Sequence, residues 1–399
     1  MTQFKGPRIL GALVFLAAFG SVSASAQEIK TVFVIAMENH NWTQPANQFG
    51  RGVQQVFQNP NAPFINSVVD GTAFSPIDGR SISKEVAYAA AYHNVLVGTA
   101  NHIHPSEPNY LWAEAGTNFG VFGDPDPFTS SGQTVTNQTT SAHLVTLLTN
   151  ARHTWRSYQE DTDLVTINGQ LTNVPLPPDQ WTVPLLSHSG VFGAGVNAFN
   201  GSSQFNYAAK HNPQVFFTDS NGGPDFSTSN PLSHQYAPLQ QLFVDLANGT
   251  AADYNWITPN QYNDMHSTLS GGFQGKTGDS ANILQGDNFL RQIIPVIMAS
   301  KAYNDNGAII IWWDESESVA GDNGDDFNHT VGEIVISKHA HRNVDGRPYA
   351  SPVNLTHSSD LRTMQEIFHT GGPFLGDAAA PGTNDLSDLF QPGAIPTKP

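Results

Sequence analysis

Two pairs of residues with side-chain oxygen atoms directly follow apolar runs, and both could hold a divalent cation. Glu38 and Asn39 follow the run TVFVIAM, and Asp314 and Glu315 follow the run AIIIWW. Carboxylate and carboxamide oxygens are hard ligands that suit ions such as Ca²⁺ and Mg²⁺. Adjacent carboxylates repel each other unless a cation or a proton compensates their charge. A turn closed by capping side chains would also explain the first pair, and solvated acids at a loop start would explain the second.

One serine hydroxyl is braced between two prolines in the stretch HPSEPNY. Pro105 and Pro108 each fix a backbone φ angle beside Ser106. A serine nucleophile must be held in place and needs a base, a metal ion or a cationic pocket to activate it. His104 lies two residues upstream and is a candidate to contact the substrate. A proline-shaped turn without chemistry is the alternative.

Three further histidines lie near the ends of predicted elements. His266 belongs to the polar stretch NQYNDMH, which a metal ion, a phosphate or a plain loop could explain. His211 precedes an apolar run, and His357 begins a predicted helix, where the helix N-terminus attracts anions. Histidine is a common metal ligand and, when charged, a partner for phosphate. A structural role is the alternative for each of the three.

Apolar runs alternate with helical patterns along the chain. The runs predict buried strands of the parallel type at residues 31–37, 213–219, 254–260, 307–315 and 332–338. Apolar residues at three- and four-residue spacing predict helices at residues 141–152, 237–248, 282–305 with a kink at Pro295, and 358–370. This order predicts an α/β fold with a mostly parallel central sheet flanked by helices on both faces. Ligands of such sheets bind beyond the carboxyl ends of the strands, where the polar clusters fall.

The N-terminal segment has the pattern of a secretory signal peptide. A basic start and a short apolar stretch lead to Ala24-Ser25-Ala26, which predicts a signal over residues 1–26 and a secreted or periplasmic protein. An uncleaved membrane anchor is the alternative, and no other run is long enough to span a bilayer. Residues 27–399 are predicted to form a single domain with long surface insertions near 116–140, 165–205 and 318–330.

Composition excludes several classes of function. The chain has 34 acidic and 17 basic residues, and this excess of negative charge disfavours nucleic-acid binding. It has no cysteine, which excludes disulfides, thiolate catalysis and cysteine-ligated zinc.

Six stretches, in order, resemble the phosphoesterase family of bacterial phospholipases C and secreted acid phosphatases, within the alkaline phosphatase superfamily. The stretches are VFVIAMENHNW, HPSEPNYL, TWRSYQED, AAKHNPQVFF, WITPNQYNDMH and AIIIWWDE, and the resemblance covers residues 31–368. The nearest resemblance is to the acid phosphatase and phosphatidylinositol-3-phosphatase-like branch. It implies an alkaline-phosphatase-like fold and a single phosphoesterase domain over residues 27–399.

The resemblance also implies the metal ligands. Glu38, Asn39, Asp314 and Glu315 would bind a divalent metal ion, for which Ca²⁺, Mg²⁺ and Zn²⁺ are candidates. The histidines and aspartates that hold a second zinc ion in alkaline phosphatases are not evident, which favours one ion per site. Some relatives have two aspartates where this chain has Asp314 and Glu315.

Further roles follow from the same resemblance. Ser106 would be the nucleophile and form a phosphoserine intermediate, and His266 would hold the phosphate or assist the leaving group. His211 and His357 would line the substrate pocket with His104. A sulfatase is disfavoured because SEPNY lacks the arginine of the sulfatase motif.

Three functions are therefore weighed. The leading one is a secreted, metal-assisted hydrolase of phosphate monoesters that acts on a small phosphorylated substrate or a phospholipid head group. A phospholipase C that cleaves a lipid phosphodiester is the second, and residues 185–199 could form its apolar rim. A non-catalytic surface-binding protein on the same fold is the third. The sequence leaves the oligomeric state open.

Overall fold

A computed structural model gives the fold, and it describes residues 1–2, 28–45, 48–50, 52–97, 101–318 and 328–396. Nearly all of the predicted signal peptide and much of the 318–330 insertion lie outside these residues, so both stay predictions. The helices found in the described parts of the chain are all too short or too polar to span a lipid bilayer.

An eight-stranded sheet forms the centre of the structure. Its strands, in chain order, are β1 (Thr31–Met37), β2 (Val86–Ala89), β3 (Trp155–Gln159), β4 (Tyr236–Pro238), β5 (Tyr254–Thr258), β6 (Gly307–Trp313), β7 (Glu333–Ser337) and β8 (Tyr349–Ser351). They lie in the order β4-β3-β5-β1-β6-β7-β2-β8. Only β7 runs antiparallel to its neighbours, β6 and β2. The predicted α/β fold with a mostly parallel sheet is confirmed.

Eight α-helices accompany the sheet in the described part of the chain. They are α1 (Pro63–Asp70), α2 (Ser106–Ala115), α3 (Leu144–Asn150), α4 (Thr218–Asn221), α5 (Gln240–Asn248), α6 (Asp279–Ala299), α7 (Lys301–Asn304) and α8 (His357–Ile367). Helices α1, α5, α6 and α7 pack against one another, and α2, α3 and α8 form a second group. Because β5 and β6 are buried along their whole length, both faces of the central strands are covered.

Short antiparallel ribbons decorate this core. They pair Asn41–Thr43 with Thr330–Val331, Leu96–Val97 with Asn101–His102, Phe128–Thr129 with Gly132–Gln133, Leu164–Ile167 with Gln170–Pro175, and His188–Phe192 with Gln204–Tyr207. The last two ribbons lie in the predicted insertion at 165–205 and its flanks.

Two sequence predictions about elements are wrong. Residues 213–219 form no strand: Pro213–Phe216 is a 3₁₀ turn and α4 begins at Thr218. Their apolar side chains are buried all the same, and burial rather than strand formation explains the apolar run. The predicted helix at 282–305 continues through Pro295 and ends at Ala299. The Ser300 side chain then accepts a hydrogen bond from Tyr303 N and starts α7.

Helix α6 packs closely beneath the carboxyl end of β1. A Cβ atom on Gly286 would lie 2.4 Å from Met265 Cγ and 2.8 Å from Met37 Cε, so only glycine allows this approach. Met265 itself has a left-handed φ of 87°, which is uncommon for a residue with a long side chain. The helix therefore supports the last residue of β1 and the turn that follows β5.

Candidate active site

Three turns meet at the carboxyl edge of the central strands. The β1–β6 register pairs Met37 with Trp313, so the next residues, Glu38 and Asp314, lie side by side. Asn39 N donates to Asp314 Oδ1 at 3.0 Å, and Glu38 N donates to the carbonyl of Asp264 at 2.8 Å. The segments after β1, β5 and β6 are thus tied together by hydrogen bonds that the backbone N–H groups of Glu38 and Asn39 donate.

Ser106 is the first residue of α2 and faces this edge. Pro105 is the N-cap of the helix, so the fixed φ of proline places the serine at its start. Ser106 Oγ donates to Glu38 Oε2 at 3.0 Å, and the Tyr110 hydroxyl, one turn further along, donates to Glu38 Oε1. Glu38 therefore aligns both hydroxyl groups, and the serine is 1% exposed.

The carboxyl groups at this edge have perturbed pKa values. Burial raises the pKa of Glu38 well above its usual value, and the charges of Asp314 and Asp264 raise it further. Burial also raises the pKa of Asp264 well above normal and that of Asp314 to about 7. Such shifts mean that these acids are costly to ionise together unless a positive charge lies among them. We call Glu38, Asp264 and Asp314 the outer cluster.

Several buried ligand atoms at this edge have no hydrogen-bond partner among the described residues. They are Asn39 Oδ1, Asp264 Oδ2, Asp314 Oδ2 and His211 Nε2. Buried polar atoms are nearly always paired, and unpaired ones call for an explanation such as an ion. Oxygen and imidazole nitrogen atoms are also the donors that Ca²⁺, Mg²⁺ and Zn²⁺ accept. The donor set of the outer cluster thus fits a divalent cation.

His211 lies between two acids of the outer cluster. Its Nε2 is 3.2 Å from Glu38 Oε1 and its Nδ1 is 3.3 Å from Asp264 Oδ2, and its ring stacks on Tyr110. Burial lowers the pKa of His211 well below normal, and the charge of Lys210 lowers it further. The ring is therefore neutral and can offer a lone pair. Glu38, His211 and His266 each place one ligand atom within 4.8 Å of the others.

His266 follows β5 and faces Lys210. Its Nε2 lies 3.4 Å from Lys210 Nζ, and its backbone N donates to Asp264 Oδ1 at 2.8 Å. Burial, then the charge of Lys210, lowers the pKa of His266 to about 3. A neutral His266 accepts a hydrogen bond from the Lys210 ammonium group through Nε2 and lies next to the outer cluster.

A second group of acids surrounds Glu315. Its Oε2 accepts from Asn109 Nδ2 at 2.9 Å and lies 2.5 Å from His104 Nδ1. Glu317 belongs to the same group and accepts from Asn39 Nδ2 at 2.8 Å. The predicted ligand Glu315 is thus held by α2 and His104, beside the outer cluster rather than inside it. Burial and the charge of Asp314 raise the pKa of Glu315 well above normal.

Asn41 connects the β1 side of the site to this group. It is fully buried, its Oδ1 accepts from Glu317 N at 2.8 Å, and its Nδ2 donates to Gln44 Oε1 at 2.6 Å. The amide therefore fixes the chain that follows Glu315.

His357 lies behind the site rather than on its surface. The side chain is fully buried, and Nε2 makes a short hydrogen bond to the carbonyl of Asp314. Because a carbonyl can only accept, Nε2 carries the proton and Nδ1 accepts from Trp312 Nε1 at 3.0 Å. Burial lowers its pKa to about 4, which is consistent with a neutral ring. The geometry gives His357 a supporting contact to the Asp314 turn, whereas the sequence analysis expected a pocket-lining residue.

Three residues of the site escaped the sequence analysis as functional candidates, namely Asn109, Tyr110 and Lys210, and Asp264 was noted there without a specific role. Asn109 and Tyr110 follow Ser106 at helical spacing, so a helix starting at Ser106 would have placed them on its face. Asp264 belongs to the polar stretch after β5 that was noted for His266. No local signal distinguishes Lys210, because its partners come from distant parts of the chain.

A serine hydroxyl held by a carboxylate, at the carboxyl edge of a mostly parallel sheet and among unpaired ligand atoms, defines an α/β protein with a candidate metal-assisted hydrolytic site. The sequence then places the chain in a family. The model of the Phosphoesterase family matches residues 20–370, and this chain belongs to that family. The family resemblance drawn from the six stretches is confirmed.

The individual relatives that match this chain have low sequence identity to it. An acid phosphatase of Aspergillus fumigatus is 28% identical over 276 residues, which are 66% of this chain and 49% of that protein. A phosphatidylinositol-3-phosphatase of Mycobacterium tuberculosis is 24% identical over 337 residues, 84% of this chain and 79% of that protein. A crystal structure of an alkaline phosphatase superfamily protein from Vibrio parahaemolyticus aligns with 90% of this chain and 71% of that chain, at 12% identity and a TM-score of 0.44. This chain spans about half the length of the fungal acid phosphatases that it matches.

Proposed function

We propose that this protein is a phosphoric ester hydrolase that cleaves phosphate monoesters through a phosphoserine intermediate on Ser106. The observation that carries the proposal is the 3.0 Å hydrogen bond from Ser106 Oγ to Glu38 Oε2 inside a cluster of buried acids. Membership of the Phosphoesterase family supports the reaction class, and the names of the curated relatives support the monoester.

The outer cluster would hold one divalent cation. Glu38, Asp314 and the side-chain oxygen of Asn39 are the proposed ligands, with Asp264 and His211 as further donors. Glu315, which was predicted as a ligand, would instead support the site through its contacts with His104 and Asn109. When bound, a divalent cation lowers the pKa of a coordinated hydroxyl and screens the charge of a phosphate group.

The residues of the chain account for the remaining steps. Glu38 Oε2 accepts the hydrogen bond of Ser106 and so directs a lone pair of Oγ towards phosphorus. Through this hydrogen bond Glu38 would take the hydroxyl proton as the oxygen–phosphorus bond forms. The ester oxygen leaves in line and takes a proton from water, and a second water molecule hydrolyses the phosphoserine to release inorganic phosphate. His266 and His104 flank this position, and His357 supports the Asp314 turn from behind.

The proposal is tested with p-nitrophenyl phosphate, measured across pH before and after chelator treatment. We expect wild-type turnover that a chelator abolishes and that Ca²⁺, Mg²⁺ or Zn²⁺, added singly, restores. Ser106→Ala should lower the turnover at least a thousandfold, and the matched variant of the exposed Ser131, Ser131→Ala, should leave it unchanged. Turnover that survives both the chelator and Ser106→Ala would refute the site, and absence of turnover in wild type would favour a non-catalytic binding protein.

A lipid phosphodiester is the second candidate substrate, and one observation favours it. Leu186, Val191, Phe192 and Val196 are between 38% and 59% exposed, and they lie within the stretch that was predicted to form an apolar rim. Exposed apolar side chains that are close in sequence are typical of surfaces that contact lipid. Comparing hydrolysis of phosphatidylcholine with that of a phosphatidylinositol monophosphate separates the candidates, since diacylglycerol release would indicate a phospholipase C.

Export to the periplasm or the medium is also proposed, on the signal-like residues 1–26.

A further inference from the structure

Lys210 places a cation at the outer cluster, and the hydrolytic roles proposed above leave this residue unused. It lies in the 3₁₀ turn Ala209–His211, one residue before His211. Its side chain is 15% exposed, so the ammonium group lies largely within the protein yet remains reachable from solvent. Nζ lies 3.4 Å from His266 Nε2. A largely buried lysine needs a partner or a function, because burial disfavours the charged form.

Asp124 links this lysine to the helix that carries the nucleophile. Asp124 Oδ2 accepts from Lys210 Nζ at 3.0 Å, and Asp124 Oδ1 accepts from Glu107 N at 3.1 Å. Glu107 follows Ser106 directly. The carboxylate of Asp124 therefore bridges the Lys210 ammonium group and the first turn of α2, which begins with Ser106.

Two of the first three residues of α2 offer no N–H group to a phosphate. The N–H of Glu107 is committed to Asp124, and Pro108 has no N–H, so these two positions offer no donor to an anion. The surrounding acids repel an anion, whereas Lys210 Nζ supplies a positive charge beside His266 and Asp124.

We propose that Lys210 is a specificity-determining residue that binds a non-bridging oxygen of the substrate phosphate and selects dianionic monoesters over monoanionic diesters, with Asp124 as its positioning residue. The inference rests on the proposed function. A monoester carries one more negative charge than a diester at neutral pH, so a point charge at this position stabilises the monoester more.

The decisive experiment compares p-nitrophenyl phosphate with bis(p-nitrophenyl) phosphate in wild type and Lys210→Met. We expect kcat/KM for the monoester to fall roughly 10- to 100-fold, the effect of losing one charge-assisted hydrogen bond. The diester value should fall less than about threefold. Lys210→Arg should recover most of the monoester activity, and Asp124→Asn should lower it in the same direction by a smaller factor. Lys276→Met, at an exposed lysine, is the matched control and should change neither value.

Calorimetric titration with inorganic phosphate gives a readout that does not need turnover. Lys210→Met should raise the phosphate dissociation constant about tenfold, while its melting temperature stays close to that of wild type. Equal losses on both esters, or unchanged phosphate binding, would overturn the role of Lys210 in an enzyme that is otherwise active. Wild type without turnover would instead count against the proposed function, and the titration would still decide whether Lys210 binds phosphate.

Discussion

The outer cluster and another group of buried acids differ in the residues that surround them. The outer cluster borders Ser106. The other group, which we call the inner cluster, consists of Glu333, the first residue of β7, and Asp360, in the first turn of α8. Both groups are buried, and burial raises the pKa of every member.

The inner cluster can be satisfied by a proton. Burial and then the proximity of Asp360 raise the pKa of Glu333 well above normal, and burial raises that of Asp360 to about 7. A protonated carboxyl group can donate to its neighbour, and the Tyr92 hydroxyl donates to Asp360 Oδ2. The outer cluster has in addition a nucleophile, an imidazole and a lysine at its margin. Glu333 Oε1 and Oε2 and Asp360 Oδ1 also have no hydrogen-bond partner among the described residues. The comparison therefore teaches that neither burial nor unpaired carboxyl oxygens indicate a catalytic carboxylate by themselves, whereas a reactive hydroxyl and an imidazole beside such oxygens do.

The largest expected difference concerns activity. Asp314→Asn in the outer cluster should lower kcat with p-nitrophenyl phosphate about a thousandfold, because several kcal/mol of transition-state stabilisation depend on the bound cation. Glu333→Gln in the inner cluster should keep activity within about tenfold of wild type. Steady-state kinetics at saturating metal measures both. A comparable loss in the two variants would abolish the distinction between the clusters.

Removal of the metal ion should change the melting temperature of variants in the two clusters differently. A ligand present at a hundredfold excess over its dissociation constant stabilises the folded state by about 2.7 kcal/mol. Chelation should therefore lower the melting temperature of wild type by several degrees. The shift should vanish in Asp314→Asn and persist in Glu333→Gln when both are followed by calorimetry. A shift retained by Asp314→Asn would place the ion elsewhere.

Tyr92→Phe should have a moderate effect on stability and a smaller one on catalysis. The hydroxyl lies 2.7 Å from His357 Nδ1 and hydrogen-bonds Asp360, so its removal leaves a buried carboxyl group with one partner fewer. We expect a loss of about 1–3 kcal/mol in the free energy of unfolding. Because Tyr92 reaches Asp314 only through His357, kcat should fall less than about tenfold. Tyr349→Phe, whose hydroxyl donates to Asp388 away from these acids, is the matched control for chemical denaturation.

The smallest expected effect is on the pH dependence of stability. Burial raises the pKa of Asp360 from 3.8 to about 7, so between these pH values the folded state holds a proton that the unfolded state has released. Stability therefore falls as the pH rises through this window and is level above it. Asp360→Asn should reduce the fall of the melting temperature with rising pH. Each 1 kcal/mol of stability that depends on this proton corresponds to roughly 2 °C in melting temperature. Saturating metal keeps the outer cluster from titrating during the measurement, and an unchanged slope would show that Asp360 is not the group responsible.

The sequence predicted four strands of the sheet because each lies in a mainly apolar run. Strands β1, β5, β6 and β7 lie where such runs were found, and the polar residues after them converge as expected for parallel strands. Strand β3 was missed because Arg156, Ser157 and Gln159 break the apolar pattern. Inside the fold, Ser157 Oγ donates to Asn212 Oδ1 at 2.9 Å, so this polar strand is buried through side-chain hydrogen bonds that no local pattern reveals.

Only some residues of the candidate site could be predicted from the sequence, for a related reason. Glu38 and Asp314 were found because each follows a recognisable strand, and Ser106 because of its prolines. Lys210 matters through Asp124 and His266, which lie 86 and 56 residues away in the chain. The placement of His357 behind Asp314 likewise depends on how α8 packs, which is a tertiary property.

The burial of Asn41 has a practical consequence for producing this protein. Asn41-Trp42-Thr43 is an acceptor sequence for N-linked sugars, yet in the folded chain its amide is enclosed and bonded to Gln44 and Glu317. Eukaryotic secretory hosts attach glycans to nascent chains, and a carbohydrate on this nitrogen would have no room once β1 and its neighbours assembled. Expression in such a host should therefore give misfolded material, which Thr43→Ala would relieve.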